Sequence, residues 1–178
     1  MTIATHIIPT PIGNMLAFAD DTHILALFFE DSLDVKKSTH LYWMQVRSQS
    51  QVASADHPVL QHLEEQLHLY FAGDLMKFNT PYRFPISTSV FQNKAWGQLL
   101  KIPYGETASY QAQAKAIGHP KAARAIGQAN RLNPLALIVP CHRVITKKGH
   151  LAGYAGSPGR KVWLLDHETR NALRIKNF

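Results

Sequence analysis

Hydrophobic and polar positions divide the chain into two unlike halves. In the first half, short apolar runs are broken by turn residues. Thr2–Ile8 and Met15–Ala19 flank a turn at Pro11-Ile12-Gly13-Asn14, and Asp20-Asp21 marks a second turn before His23–Phe29. This pattern predicts a small antiparallel sheet. Residues 45–57 are polar and carry no clear period. Pro58–Ala72 then predicts a helix: proline suits a first turn, Val59, Leu60, Leu63, Leu67, Tyr70 and Phe71 share one face, and Gly73 is placed to stop it. Asn79–Ile86 holds Pro81 and Pro85 and reads as an extended linker, which puts a boundary near residue 85.

The second half reads as mainly helical. Val90, Phe91, Trp96, Leu99 and Leu100 supply apolar positions from Thr88 on, Pro103 closes that segment, and Tyr104-Gly105-Glu106 makes a turn. Thr107–Ile117 is an alanine-rich helix with Thr107 as its cap. Gly118-His119-Pro120 breaks it before a second helix, Lys121–Arg131, giving a helix-turn-helix outline. Asn133-Pro134 ends the second helix, and the apolar run Leu135–Val139 predicts a short buried strand. After a Lys147-Lys148-Gly149 turn and a Gly-rich loop at 152–159, Arg160–Asn171 predicts a last helix. The expected class is α+β: a small N-terminal antiparallel sheet with a helix, then a mainly helical C-terminal domain with the helix-turn-helix.

Charge sharpens the division. Residues 1–85 hold five Lys/Arg and nine Asp/Glu, a net −4, and residues 86–178 hold fourteen and three, a net +11, which together give the +7 of the chain. A polyanion such as nucleic acid is the natural partner of the basic half. The N-terminus shows no basic start, long apolar stretch or cleavage site, so an intracellular protein is expected, cytoplasmic or, in a eukaryote, nuclear.

The single cysteine, Cys141, lies in this basic half, in Val139-Pro140-Cys141-His142-Arg143-Val144. It has no second thiol for a disulfide or a thiolate metal site. An adjacent imidazole and guanidinium are both expected to favour the reactive thiolate. Buried, inert packing is the common fate of a lone cysteine. If the segment is a strand, His142 points away from the sulfur, and only a bridging water joins them. Glu168 on the last helix is a candidate to orient the imidazole. Lys121, Arg124 and Arg131 stand on a helix otherwise built of small residues, including Ala123, with Gln128 beside them. Small residues allow close backbone approach and let one arginine reach into a narrow groove.

Taken together, Ile138–Ile145, Phe91-Gln92, Trp96, Leu99, Ile102–Glu106, Ser109-Tyr110-Gln111, Pro120–Gly127, Asn133-Pro134, Gly153-Tyr154 and Trp163–Glu168 resemble the O6-alkylguanine–DNA alkyltransferases (methylated-DNA–protein-cysteine methyltransferases) over about residues 88–170. The resemblance implies a stand-alone, single-use repair protein. Such a protein transfers an alkyl group from O6 of guanine, and in some cases O4 of thymine, to Cys141. It flips the nucleotide out of double-stranded DNA and works as a monomer with no metal, cofactor or membrane. It implies residues 1–85 as an N-terminal α/β ribonuclease H-like supporting domain and 86–178 as the DNA-binding, alkyl-accepting domain. By the same resemblance, His142 is a base acting through water, Glu168 polarises it, Asn133 holds the active-site turn, and Tyr110 donates to the guanine ring. Arg124 fills the space of the flipped base. Pro140, Val144, Tyr154, Ala155 and Gly156 line the pocket, with the Cys141 and Val144 carbonyls accepting from the guanine amino group. Lys94, Lys101, Lys121 and Arg131 add phosphate contacts by charge and position. Two departures stand out: Ser157-Pro158-Gly159 in the pocket loop, and Asn130 where some members carry a larger apolar residue. Two rival readings remain: a helix-turn-helix protein that senses lesions without chemistry, and a cysteine hydrolase with a Cys-His-Glu triad.

Overall fold

A computed structural model describes residues 3–32, 42–46, 56–86, 88–151, 154 and 156–176. Thr2, residues 47–55 and Ala155, which was expected to line the pocket, lie outside them. The chain divides into two compact units, Met1–Pro85 and Ile86–Phe178.

The first unit is built on a three-stranded antiparallel meander, β1 (Ala4–Ile8), β2 (Met15–Ala19) and β3 (Ile24–Phe29), paired Ile8 to Met15 and Met15 to Phe29. Every residue of β2 and β3 is buried. That is why these strands read as continuous apolar runs and not as an alternation. Trp43, in a short helical segment at 42–46, clusters with Leu16, Phe18, Leu25 and Phe28. Helix α1 (Pro58–Ala72) packs on β1 and β2 and ends on Gly73, whose φ of 84° is open to a residue without Cβ. Its buried stripe is Leu60, Leu63, Gln66, Leu67 and Tyr70, and Val59 and Phe71 are only half-buried.

Gln66 explains a correction to the linker reading. Its Oε1 accepts from the backbone N–H of Asn79 (2.8 Å) and Thr80 (3.3 Å) and from the Thr80 hydroxyl (3.1 Å). The chain then pairs Tyr82 in parallel with Ile24, and Arg83 forms an ion pair with the buried Asp20. Residues 79–83 are therefore extended but tied to the sheet, not free.

In the second unit, α2 (Val90–Leu99) opens with a reciprocal capping box between Ser89 and Gln92. Helices α3 (Tyr110–Ala116) and α4 (Ala123–Arg131) form the helix-turn-helix, with Gly118 at φ 81° after α3. The three helices meet in a core of Ala95, Ala114, Ile126 and Ala129, flanked by Phe91, Tyr110 and Ile117. The predicted caps move. Ser109, not Thr107, caps α3, its hydroxyl accepting from the Ala112 N–H (3.0 Å). Residues Ala108–Ser109 (β4) are instead paired in parallel with Val144–Ile145 (β5), and this pairing sets Tyr110 beside the Cys141 segment. Lys121 precedes α4 and is not in it. The last helix, α5, runs Pro158–Lys176, longer than predicted at both ends. Among the described residues no helix is long and apolar enough to cross a membrane.

The predicted strand Leu135–Val139 is absent. The run is a buried turn, with Leu137 at φ 67°, and it leads into a single 3-10 turn, Cys141–Arg143. The Asn133 side chain pins this turn. Its Oδ1 accepts from the Leu135 N–H (3.0 Å) and its Nδ2 donates to the Val139 carbonyl (2.7 Å). Those two bonds satisfy backbone groups that a sheet ladder would otherwise pair.

Gly105 fixes how α5 passes this turn. It has φ 76°, and a Cβ there would stand 2.7 Å from Ala172 Cβ and 3.1 Å from the Glu168 carbonyl oxygen. Gly105→Ala is therefore expected to lower stability by about 1–3 kcal/mol. Urea unfolding measures this, and an unchanged midpoint contradicts it.

Candidate active site

Cys141 is buried, with 8% of its surface accessible. Its sulfur accepts a hydrogen bond from Asn133 Nδ2 at 3.3 Å. The same amide thus shapes the turn and holds the sulfur. His142, in the next position, is fully buried, and its Nε2 lies 2.8 Å from Glu168 Oε1. The 3-10 turn replaces the strand on which opposite-facing neighbours were expected. The imidazole is nevertheless turned toward α5, and its second nitrogen, Nδ1, is buried with no hydrogen bond to the described residues.

Glu168 is the hub. Oε1 accepts from His142 and from Arg143 Nη2 (3.0 Å), and Oε2 accepts from Arg143 Nε (2.8 Å) and the Gly105 N–H (3.2 Å). Arg143 uses its remaining edge on the Ile102 carbonyl (2.7 Å) and lies over the Tyr104 ring, 5.6 Å from its centroid. Burial alone raises the Glu168 carboxyl, but the charges and hydrogen bonds of His142 and Arg143 outweigh it and hold the group well below the ordinary glutamate range. An ionised carboxylate only accepts, so His142 carries its proton on Nε2 and presents a bare lone pair at Nδ1 when neutral. Burial pushes the imidazole down. Glu168 opposes this, while Arg143 and Lys161 add to it.

These groups correct the expectation that His142 and Arg143 favour the thiolate. Arg143 is spent on Glu168. Burial pushes the Cys141 thiol up, beyond what the Asn133 bond and the Lys161 ammonium recover. The resting pair is thiol and neutral imidazole.

Lys161 was not anticipated. Only 1% exposed, it donates from Nζ to the Val144 carbonyl (2.6 Å) and lies over the Tyr110 ring, 5.8 Å from the centroid. Its position was legible in principle. Lys161, Leu164 and Glu168 fall on one stripe of α5, and a lysine on a buried stripe is unusual. Its bond occupies one lone pair of the Val144 carbonyl, the group assigned to the guanine amino group. Tyr110 is half-buried, and burial together with the nearby sulfur raises its hydroxyl. Pro140 and Val144 are buried beside the cysteine. Gly156 is buried, with its carbonyl taken by Arg160 Nη1 (3.0 Å). The Tyr154 hydroxyl is buried with no hydrogen bond to the described residues, and its ring meets His142 edge-on at 6.4 Å.

The structure thus bonds Asn133 to Cys141 and His142 to Glu168, the two pairs meeting in the Cys141–Arg143 turn, with Tyr110 near the sulfur. Arg124, Gln128 and Arg131 sit exposed on α4. Lys121 is exposed just before it, Ala123 is half-buried, and Lys94 and Lys101 are exposed elsewhere on the unit. None of them belongs to the buried cluster.

Residues 90–170 match the 6-O-methylguanine DNA methyltransferase DNA-binding domain, and residues 3–84 match the ribonuclease-like domain of the same family. A constitutive methylated-DNA–protein-cysteine methyltransferase of Bacillus subtilis is 40% identical over 165 residues, covering 89% of this chain and 91% of that protein. The chain belongs to the methylated-DNA–protein-cysteine methyltransferase family. Among solved structures of such methyltransferases, the Mycobacterium tuberculosis O6-methylguanine methyltransferase is similar with a TM-score of 0.79 at 35% identity, covering 96% of this chain and 94% of that one. The same mycobacterial protein solved in complex with DNA gives 0.76 at 35% identity, with 94% of each chain covered.

The hub of this methyltransferase-family site has a measurable signature. The folded pKa of Glu168 lies below its unfolded value, so its stabilisation is complete above the ordinary glutamate value of 4.5 and is lost as pH falls from there. Glu168→Gln leaves Arg143 buried without its counter-charge, and a loss of about 3–5 kcal/mol at neutral pH is expected. Urea unfolding across this pH range should find native and variant converging in acid. A constant gap from neutral pH down to acid contradicts the assignment.

Proposed function

We propose that the chain repairs DNA by moving an alkyl group from O6 of guanine onto Cys141, once per molecule. The observation that carries this reading is two buried sets of bonds on consecutive residues, Asn133 to the Cys141 sulfur and His142 to Glu168 and Arg143, which hold a sulfur and an imidazole of fixed tautomer in one turn. Displacement at an alkyl carbon needs a soft nucleophile in line with its leaving oxygen, and no metal or cofactor enters the scheme. The thiol proton passes through a water to His142 Nδ1, and Glu168 compensates the imidazolium that forms. Sulfur bonds to the alkyl carbon as the carbon–O6 bond breaks, and the electron pair leaves with the guanine. Tyr110 donates to the guanine ring and neutralises that charge, which develops only as the bond breaks.

The alkyl carbon lies inside the duplex, so the nucleotide is turned out into a pocket lined by Pro140, Val144, Tyr154 and Gly156. Arg124 takes the vacated space. Ala123 and Gln128 face the groove, and Lys94, Lys101, Lys121 and Arg131 contact phosphates. The first unit is a supporting domain. The protein acts as a monomer on double-stranded DNA, in the cytoplasm or, in a eukaryote, the nucleus.

Incubation with a duplex carrying O6-methylguanine, followed by mass spectrometry of the intact protein and its peptides, tests the reading. One methyl per molecule on the Cys141 peptide is expected, with none on Cys141→Ser. A folded native protein that gains no mass, or one that turns over repeatedly, contradicts it.

A further inference from the structure

The three helices of the second unit meet through Ala95, Ala114, Ile126 and Ala129. Such small side chains make shallow ridges, so apolar packing alone leaves the helix angle loosely set. A polar node lies in the same place. Gln113 of α3 is 1% exposed and Asn130 of α4 is 6% exposed. Asn130 Nδ2 donates to Gln113 Oε1 (2.8 Å), and Gln113 Nε2 donates to Asn130 Oδ1 (3.1 Å) and to the Ala95 carbonyl of α2 (2.9 Å). The neighbouring Trp96 indole donates to the Ala129 carbonyl (2.9 Å). Hydrogen bonds are directional, and a buried amide left unpaired is costly, so few helix alignments satisfy all of these groups together.

We propose that the Gln113–Asn130 amide pair is a positioning device for the DNA-contacting edge: it fixes the tilt of α4, and hence where Arg124 stands relative to the Cys141 turn. This deepens the repair reading and rests on it. The two ends of α4 are not held alike. Just beyond its C-terminal end, Asn133 is anchored separately by its bonds to Leu135, Val139 and Cys141. Arg124, in the first turn, is exposed, and the Ala122 cap position makes no side-chain capping bond. Arg124 lies six residues before Asn130, about 9 Å along the axis. Apolar helix pairs scatter by about 15–20° in crossing angle, which over that lever moves Arg124 by ~2.5 Å. A misplacement of ~1 Å can cost about a hundredfold in rate. The pair therefore matters for a substrate that must be flipped and not for one that diffuses in free.

The test compares methyl transfer from an O6-methylguanine duplex with transfer from the free O6-alkylguanine base, counting only molecules whose Cys141 remains reactive. Asn130→Ala and the apolar exchange Gln113→Leu/Asn130→Leu are each measured against the native protein. A fall of roughly ten- to a hundredfold in the duplex-to-free-base rate ratio, with the free-base rate near native, is expected. Asn130→Ala decides the matter if the apolar exchange does not fold. An unchanged ratio, or equal losses on both substrates, overturns the proposal. A native protein that accepts no methyl from either substrate overturns the repair reading instead.

Discussion

One carboxylate holds the second unit's chemistry in place. Glu168 enters a fully buried site and is met by four donors, two from Arg143, one from His142 and one from the Gly105 backbone. Burying such a charge alone is prohibitive, and a bidentate guanidinium makes it tolerable. The same interaction joins three parts of the chain: the turn at Gly105, the 3-10 turn at Cys141–Arg143 and the long final helix. Without it, no contact described above would fix the imidazole relative to the sulfur.

The consequence is electrostatic as well as geometric. Arg143 neutralises Glu168, so the carboxylate does not demand a charged imidazole, and burial keeps His142 neutral. Burial also keeps Cys141 protonated, although Asn133 and Lys161 press toward the thiolate. Asn133 is the second anchor of the site: one amide shapes the loop before the cysteine and touches the sulfur.

Where a residue's local period agreed with its tertiary role, the sequence was readable. The three strands, helix α1 and the helix-turn-helix outline all fall where apolar spacing and Gly or Pro punctuation placed them. Leu135–Val139 was misread because a short apolar run is buried equally well as strand or turn, and only the side-chain bonds of Asn133 decide between them. Thr107 lost the cap to Ser109 because Ala108–Ser109 was drawn into a pair with Val144–Ile145, a partner 36 residues away. The Cys141, His142 and Glu168 grouping was legible from the family resemblance, but the direction of Arg143 was not. Charge adjacency in sequence says nothing of which way a guanidinium turns. Lys161 was hidden for the same reason: its significance lies in what the helix carrying it faces. The Gln113–Asn130 pair was half visible: Asn130 stands out as a polar residue among small ones on its helix, but its partner lies seventeen residues upstream in the preceding helix.

The most direct test of this arrangement is the protonation state of His142 itself. Nitrogen-15 NMR of histidine-labelled protein between about pH 5 and 8 reads both ring nitrogens separately. The account predicts a proton on Nε2, a bare Nδ1 and a neutral ring near neutral pH, persisting below the ordinary histidine value of 6.5. An imidazolium at neutral pH, or a proton resting on Nδ1 instead, would contradict it.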